Sequence, residues 1–141
     1  AFKQIAGYGV APYDRLALFY LALTYQSLQE PDTATATLKD LLNREQADPL
    51  LRQLAWHTLG HIQASGGVCK EAAASFGQAA KLPGPFKPEV LLAKARCEAE
   101  TGDRAAAINT YRDYLASFPN ERRATEATLM IQELGGAGGP Q

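Results

Sequence analysis

The chain is 141 residues long, and 46% of these residues are hydrophobic. A chain of this length fits a single domain, and this apolar content suffices for a buried core, which excludes global disorder. The 14 Lys and Arg residues are balanced by 15 Asp and Glu residues spread along the chain, so no nucleic-acid partner is expected. No segment of these residues has the roughly 18 consecutive apolar positions of a membrane span, and none shows the charged-then-apolar pattern of a signal segment.

Apolar residues recur every three or four positions, alanine is abundant and β-branched residues are scarce. This pattern favours amphipathic helices over strands. Glycines, prolines and short polar runs divide the pattern, so that in chain order the sequence predicts seven helices, at residues 14–28, 33–43, 50–64, 70–81, 89–101, 104–117 and 121–134. Asp32 is expected to cap the second helix, and Ala1–Ala6 is expected to be the end of an earlier helix.

The helical pattern repeats about every 35 residues. The middle unit contains Trp56-x2-Leu59-Gly60, then Ala72-x3-Phe76 and Pro83. The pattern returns further along the chain at Leu91, Ala95, Ala107 and Tyr111, and earlier in the chain at Leu18, Ala22, Ala34 and Leu38. Three positions depart from it: Gln29 replaces a turn glycine, and Gln63 and Glu98 replace an inner aromatic residue.

This pattern resembles the tetratricopeptide repeat family over about residues 1–134. The resemblance implies an all-α fold, a right-handed solenoid of antiparallel helix hairpins with about three repeats and a C-terminal capping helix. The repeats are expected at about residues 14–48, 50–85 and 88–120, the capping helix at 121–134 and a disordered tail at 135–141. Small residues at the helix crossings and bulky ones between hairpins fit this packing. The alternative is a generic helical bundle with accidental periodicity.

Two shorter stretches, Pro49–Ala55 and Phe118-Pro119, are similar to bacterial envelope members of the family, the YfgM-like ancillary subunits of the Sec translocon. The similarity implies an N-terminal membrane anchor upstream of Ala1, the only expected membrane contact. It also favours the periplasmic side of a bacterial membrane, and a cytoplasmic location stays open. Repeat domains of outer-membrane assembly lipoproteins would fit almost as well.

The resemblance places the partner site on the inner face of the solenoid, formed by the first helix of each hairpin. We expect a protein or peptide partner in a concave groove that is apolar at one end and polar at the other. The expected contact residues are Leu16, Phe19, Tyr20, Leu23, Gln26, His57, His61 and Arg96. The alternative for Phe19 and Tyr20 is packing beneath a preceding segment of chain.

Two residue pairs allow more than one interpretation. His57 and His61 stand four residues apart on one helix and could share a metal ion, but no third ligand is evident, and groove polarity or packing is the preferred interpretation. Cys69 and Cys97 are expected at matching levels of neighbouring antiparallel helices. They form either a disulfide or, as we prefer, two buried free thiols. No cofactor is expected.

No nucleophile with a base, and no pair of converging carboxylates, stands out from the dispersed charges, so catalysis is not expected. The sequence therefore favours a non-enzymatic protein-interaction or scaffold module, placed in a bacterial envelope complex by the second resemblance. The alternative is a structural repeat segment that forms a homodimer through its exposed ends.

Overall fold

The computed structural model describes residues 13–44 and 48–136, and every regular element within these residues is an α-helix. In chain order the helices are α1 (Tyr13–Ser27), α2 (Pro31–Leu42), α3 (Pro49–Ser65), α4 (Cys69–Ala80), α5 (Lys87–Glu100), α6 (Arg104–Ser117) and α7 (Ala124–Glu133). Each helix packs on the next one in the chain. The helices thus form three antiparallel hairpins, α1–α2, α3–α4 and α5–α6, followed by α7, which confirms the predicted helix-hairpin solenoid.

The predicted helix end at Ala1–Ala6 and the predicted tail beyond residue 136 lie outside the described residues. In the two described ranges, no helix combines the length and the apolar character that crossing a membrane requires.

Each hairpin turns at a residue with a left-handed backbone conformation. The angle φ is 60° at Gln29, 80° at Gly67 and 86° at Gly102. In all three turns the amide of the next residue donates to a carbonyl five positions back: Glu30 to Tyr25, Val68 to Gln63 and Asp103 to Glu98. This is a Schellman helix end, which favours glycine because glycine has no Cβ to clash. Gln29 therefore adopts the glycine conformation that the repeat pattern indicated for its position.

Small residues lie in the core where helices cross, as the repeat pattern predicted. The residues without exposed surface include Ala22, Ala34, Ala72, Ala95 and Ala107. Gly60 is packed even more closely, because a Cβ added there would lie 2.6 Å from Cε1 of the buried Phe76. Trp56 is partly buried and packs against two clusters, one formed by α1, α2 and α3 and the other by α4 and α5. This bulky residue thus fills the space between neighbouring hairpins.

One buried amide, Gln53, fastens α3 to the connection that follows α4. Its Nε2 donates to the carbonyl oxygen of Ala79 at 3.2 Å and to that of Leu82 at 3.0 Å. The carbonyl of Ala79 also accepts from the amide of Leu82 at 3.2 Å, so Gln53 adds a second partner at the end of α4 and a first contact to the connection beyond it. A Cβ at Gly84 would collide with Oε1 of Gln53, so this connection requires a glycine.

Three helix starts differ from the predicted ones by two or more residues. Asp32 lies inside α2, which begins at Pro31, and no side-chain hydrogen bond caps this helix. The prediction that Asp32 caps α2 was therefore wrong. Proline is well suited to the first helical position because no hydrogen bond to its nitrogen is needed there. For the same reason Pro88 lies in the first turn of α5, which begins at Lys87, earlier than predicted. The helix α7 begins at Ala124, later than the predicted residue 121.

Candidate functional site

The candidate site is the face formed by α1, α3 and α5, the first helices of the three hairpins. Leu23, His61 and Arg96 occupy equivalent positions on these helices. His61 and Arg96 line one cavity of about 210 Å³, whose other lining residues are Ala64, Cys69, Phe76, Ala93, Cys97 and Glu100. Two first helices therefore contribute equivalent positions to one depression, as expected of the inner face of a solenoid.

The predicted contact residues on α1 have different environments. Leu16 is 41% exposed and Tyr20 is 46% exposed, whereas Leu23 is half-buried and Gln26 is exposed. Phe19 is only 9% exposed and belongs to the core that α1 shares with α2 and α3. The expectation of an open Phe19 is therefore corrected, because a side chain packed in this core is not available as an exposed anchor.

His57 and His61 are in direct contact on α3. Their Nε2 atoms are 2.9 Å apart, and the two rings meet at 67° with centroids 4.4 Å apart. One Nε2–H group therefore donates to the lone pair of the other Nε2, which requires at least one neutral ring. His61 also packs edge-on against Phe76 at 5.3 Å, and His57 stacks on Phe86 at 6.1 Å. Aromatic neighbours thus hold the pair in place.

Burial lowers the pKa of both histidines below the ordinary value of 6.5. The neighbouring His61 lowers the pKa of His57 further, while the carboxylate of Glu89 acts in the opposite direction. Both rings are therefore neutral at neutral pH. Among residues 13–44 and 48–136, no group of three or more His, Cys, Asp or Glu side chains converges to hold a metal ion. The described residues therefore offer no third ligand for a metal ion bound by His57 and His61.

Arg96 makes an ion pair between α5 and the terminal helix. Its Nη2 lies 2.6 Å from Oε1 of Glu126 on α7, and both side chains keep access to solvent. An exposed pair of this kind contributes little stability. Its effect is to orient the guanidinium group at the rim of the cavity.

The two cysteines lie side by side in the wall of the same cavity. Both are buried free thiols, the state that the sequence analysis preferred. Their Sγ atoms are 2.8 Å apart, and Sγ of Cys69 donates to Oε2 of Glu100 at 3.1 Å. The prediction that Cys69 and Cys97 lie at matching levels of α4 and α5 is thus confirmed.

Two partly buried hydrogen-bonded pairs replace the aromatic contact of the repeat pattern. In the second hairpin the hydroxyl of Ser75 donates to Oε1 of Gln63 at 2.6 Å, and in the third the hydroxyl of Thr110 donates to Oε1 of Glu98 at 2.6 Å. Lys94 lies 3.0 Å from Oε2 of Glu98. Sequence reasoning found Gln63 and Glu98 but missed their partners. The available signal was a hydroxyl residue at the equivalent position of each second helix.

Comparison with known families identifies the repeat. Residues 16–48 and 89–121 each match the model of the tetratricopeptide repeat family. Each of these two segments is thus similar to a tetratricopeptide repeat. The two matched segments cover the first and third hairpins, and the middle hairpin lies between them with the same architecture. No curated protein sequence matches the chain significantly.

Several solved structures share this tetratricopeptide-repeat fold. A crystal structure of MamA has a TM-score of 0.73 and 20% identity, with 96% of this chain and 75% of that chain covered. The Yersinia enterocolitica type III secretion chaperone SycD, in complex with a peptide of the translocator YopD, has a TM-score of 0.67 and 17% identity, covering 83% of this chain and 88% of that one. PcrH from Pseudomonas aeruginosa, in complex with the chaperone binding region of PopB, has a TM-score of 0.65 and 21% identity, covering 86% of this chain and 98% of that one. At these identities the likeness establishes the fold alone.

Proposed function

We propose that this chain is a non-enzymatic protein-interaction module that binds a peptide or protein segment along the face of α1, α3 and α5. The observation that carries the proposal is the cavity shared by His61 and Arg96. Its volume of about 210 Å³ is below the about 300–1,000 Å³ typical of small-molecule pockets. A single side chain of a peptide fits this space, and the lining combines the apolar Phe76 with the charged Arg96 and Glu100.

The change in polarity along the face supports binding of a peptide segment in a single orientation. Leu16 and Tyr20 expose apolar surface on α1, whereas Arg96 and Glu100 expose charge on α5. A segment lying across the three helices would meet apolar side chains at one end, which supply affinity, and charged ones at the other, which fix its register.

The related structures add support from outside the chain. SycD and PcrH were each solved with a peptide or binding region of another protein, so this fold can hold such a segment. The similarity of Pro49–Ala55 to YfgM-like proteins supports placing the module in a bacterial envelope complex, and this location is part of the proposal.

The test starts from peptides selected on the purified protein from a random displayed library. Fluorescence anisotropy then measures their Kd for Tyr20→Ala and Arg96→Ala, each expected to weaken binding by about tenfold or more. The matched controls are Leu129→Ala on α7 and Arg112→Ala on α6, which also remove exposed apolar or charged side chains. The proposal fails if selection gives no binding peptide, or if the controls weaken binding as much as the groove variants.

A second candidate function is self-association through the end of the solenoid. Leu129 exposes an apolar side chain on the terminal helix α7, where a second copy could cover it. Light scattering would then show a concentration-dependent dimer that Leu129→Asp abolishes without affecting peptide binding. A monomer at every concentration excludes this candidate.

A further inference from the structure

The thiols of Cys69 and Cys97 face each other across the joint between the second and third hairpins. Cys69 is the first residue of α4, and Cys97 lies near the end of α5, which packs antiparallel to it. Their Sγ atoms are 2.8 Å apart, about 0.8 Å more than the length of a disulfide bond. Because two packed helices hold the residues, we expect small side-chain rotations to close this gap.

We propose that Cys69 and Cys97 are a modification site, where exchange with a small-molecule disulfide forms a reversible intramolecular disulfide that locks this joint. In the first step the thiolate of Cys69 attacks one sulfur of the reagent RSSR, which forms a mixed disulfide and releases RS⁻. The thiolate of Cys97 then attacks Sγ of Cys69, which forms the intramolecular bond and releases the second RS⁻. The two cysteine protons end on the two released thiolates. The protein is thus oxidised, and one RSSR is reduced to two RSH.

Cys69 is the residue that exchanges first. It is 8% exposed, against 4% for Cys97, and its Sγ donates a hydrogen bond to Oε2 of Glu100 at 3.1 Å. Burial, with the contacts to Cys97 and Glu100, raises the pKa of the Cys69 thiol to about 12. The folded thiol therefore reacts slowly. Exchange is fastest while the chain folds or when this end of the joint opens, and a bond once formed is protected in the same way.

The proposed bond is independent of the proposed peptide binding, because its readouts are covalent. It would join two residues that are 28 positions apart in the sequence. A cross-link of this span removes conformational freedom from the unfolded chain, so the oxidised protein is expected to be the more stable form. Both cysteines also line the cavity of His61 and Arg96, so the bond would become part of its wall.

The experiment refolds the full chain from urea in a buffer of reduced and oxidised glutathione, so that burial does not limit access. The expected product has lost two hydrogens by intact mass, has no titratable thiol and gives a cross-linked Cys69–Cys97 peptide in a non-reducing digest. Its Tm is expected to lie about 10 °C above that of the reduced chain.

Cys69→Ser and Cys97→Ser are the matched controls, since each retains one thiol and cannot form the bond. Each is expected to keep the same Tm, within about 2 °C, in reducing and oxidising buffer. Two free thiols after refolding, two glutathione adducts, a cross-link between chains, or an equal Tm for both redox forms of the natural sequence would each overturn the proposal.

Discussion

Replacing Gln29 with glycine is expected to stabilise the protein, because Gln29 occupies a left-handed conformation that disfavours side chains. It is the only residue other than glycine with a positive φ in the described parts of the chain. An L-residue in this region costs roughly 1–2 kcal/mol. Glycine loses about 0.5–1 kcal/mol more backbone entropy on folding, which offsets part of the gain. The net increase in the free energy of unfolding is therefore expected to be about 0.5–1 kcal/mol.

The reciprocal changes, Gly67→Ala and Gly102→Ala, isolate the same backbone effect. A Cβ at either position would meet no atom within 4 Å, so only the positive φ is penalised. Each variant is expected to lose about 1 kcal/mol. Gly66→Ala is the matched control, because Gly66 has a φ of −83° and precedes Gly67 in the same turn. Because alanine adopts this conformation without strain and loses less backbone entropy than glycine, this control is expected to raise the free energy of unfolding by about 0.4–1 kcal/mol.

Urea unfolding followed by far-UV circular dichroism measures all four variants. For a chain of 141 residues, 1 kcal/mol corresponds to a Tm shift of about 3 °C, which a thermal scan resolves. The reasoning is refuted if Gln29→Gly lowers the stability, or if Gly66→Ala costs as much as Gly67→Ala.

Two further predictions concern polar contacts. Folding lowers the pKa of His57 and His61 below 6.5. Above about pH 6.5 the two rings are neutral in both the folded and the unfolded chain, so the protein has its full stability there. This stability is lost as the pH falls through the lowered pKa values, because the unfolded chain binds protons first. Urea unfolding at about pH 7.5 and about pH 5.5 measures this loss, and a double His→Gln variant that keeps the full pH dependence would contradict the assignment. Thr110→Val removes the hydroxyl that donates to Glu98 and is expected to cost about 1–3 kcal/mol in a urea unfolding experiment. Thr128→Val should cost less, because that hydroxyl bonds only a carbonyl of its own helix, and equal losses would count against the buried pair.

The fold could be predicted because the repeat constrains the chain at several levels at once. Ala72 and Ala107 must be small where helices cross, and the register of the repeat alone placed Gln29 in a glycine-like turn. The start of α2 was missed because Pro31 was interpreted as part of a break. At the first position of a helix, proline loses nothing by having no N–H group.

The candidate site could be predicted only in part. On α1, apolar residues surround the helix on more than one side, so periodicity does not separate the buried Phe19 from the exposed Tyr20. The contact between Cys69 and Cys97 followed from the antiparallel helix order, which places the start of one helix beside the end of the next. The bond between Ser75 and Gln63 was missed, since these residue types are also common on solvated helix faces.

The amide of Gln53 has a mechanical consequence for the joint between the second and third hairpins. It grips the last turn of α4 and the connection leading to α5, whereas Cys69 lies at the opposite end of α4. At that end α4 and α5 are joined by the contact of Cys69 with Cys97 and by its hydrogen bond to Glu100. The proposed disulfide would replace these weak contacts by a covalent bond, so α4 and α5 would be held at both ends of α4, by an amide at one end and by sulfur at the other.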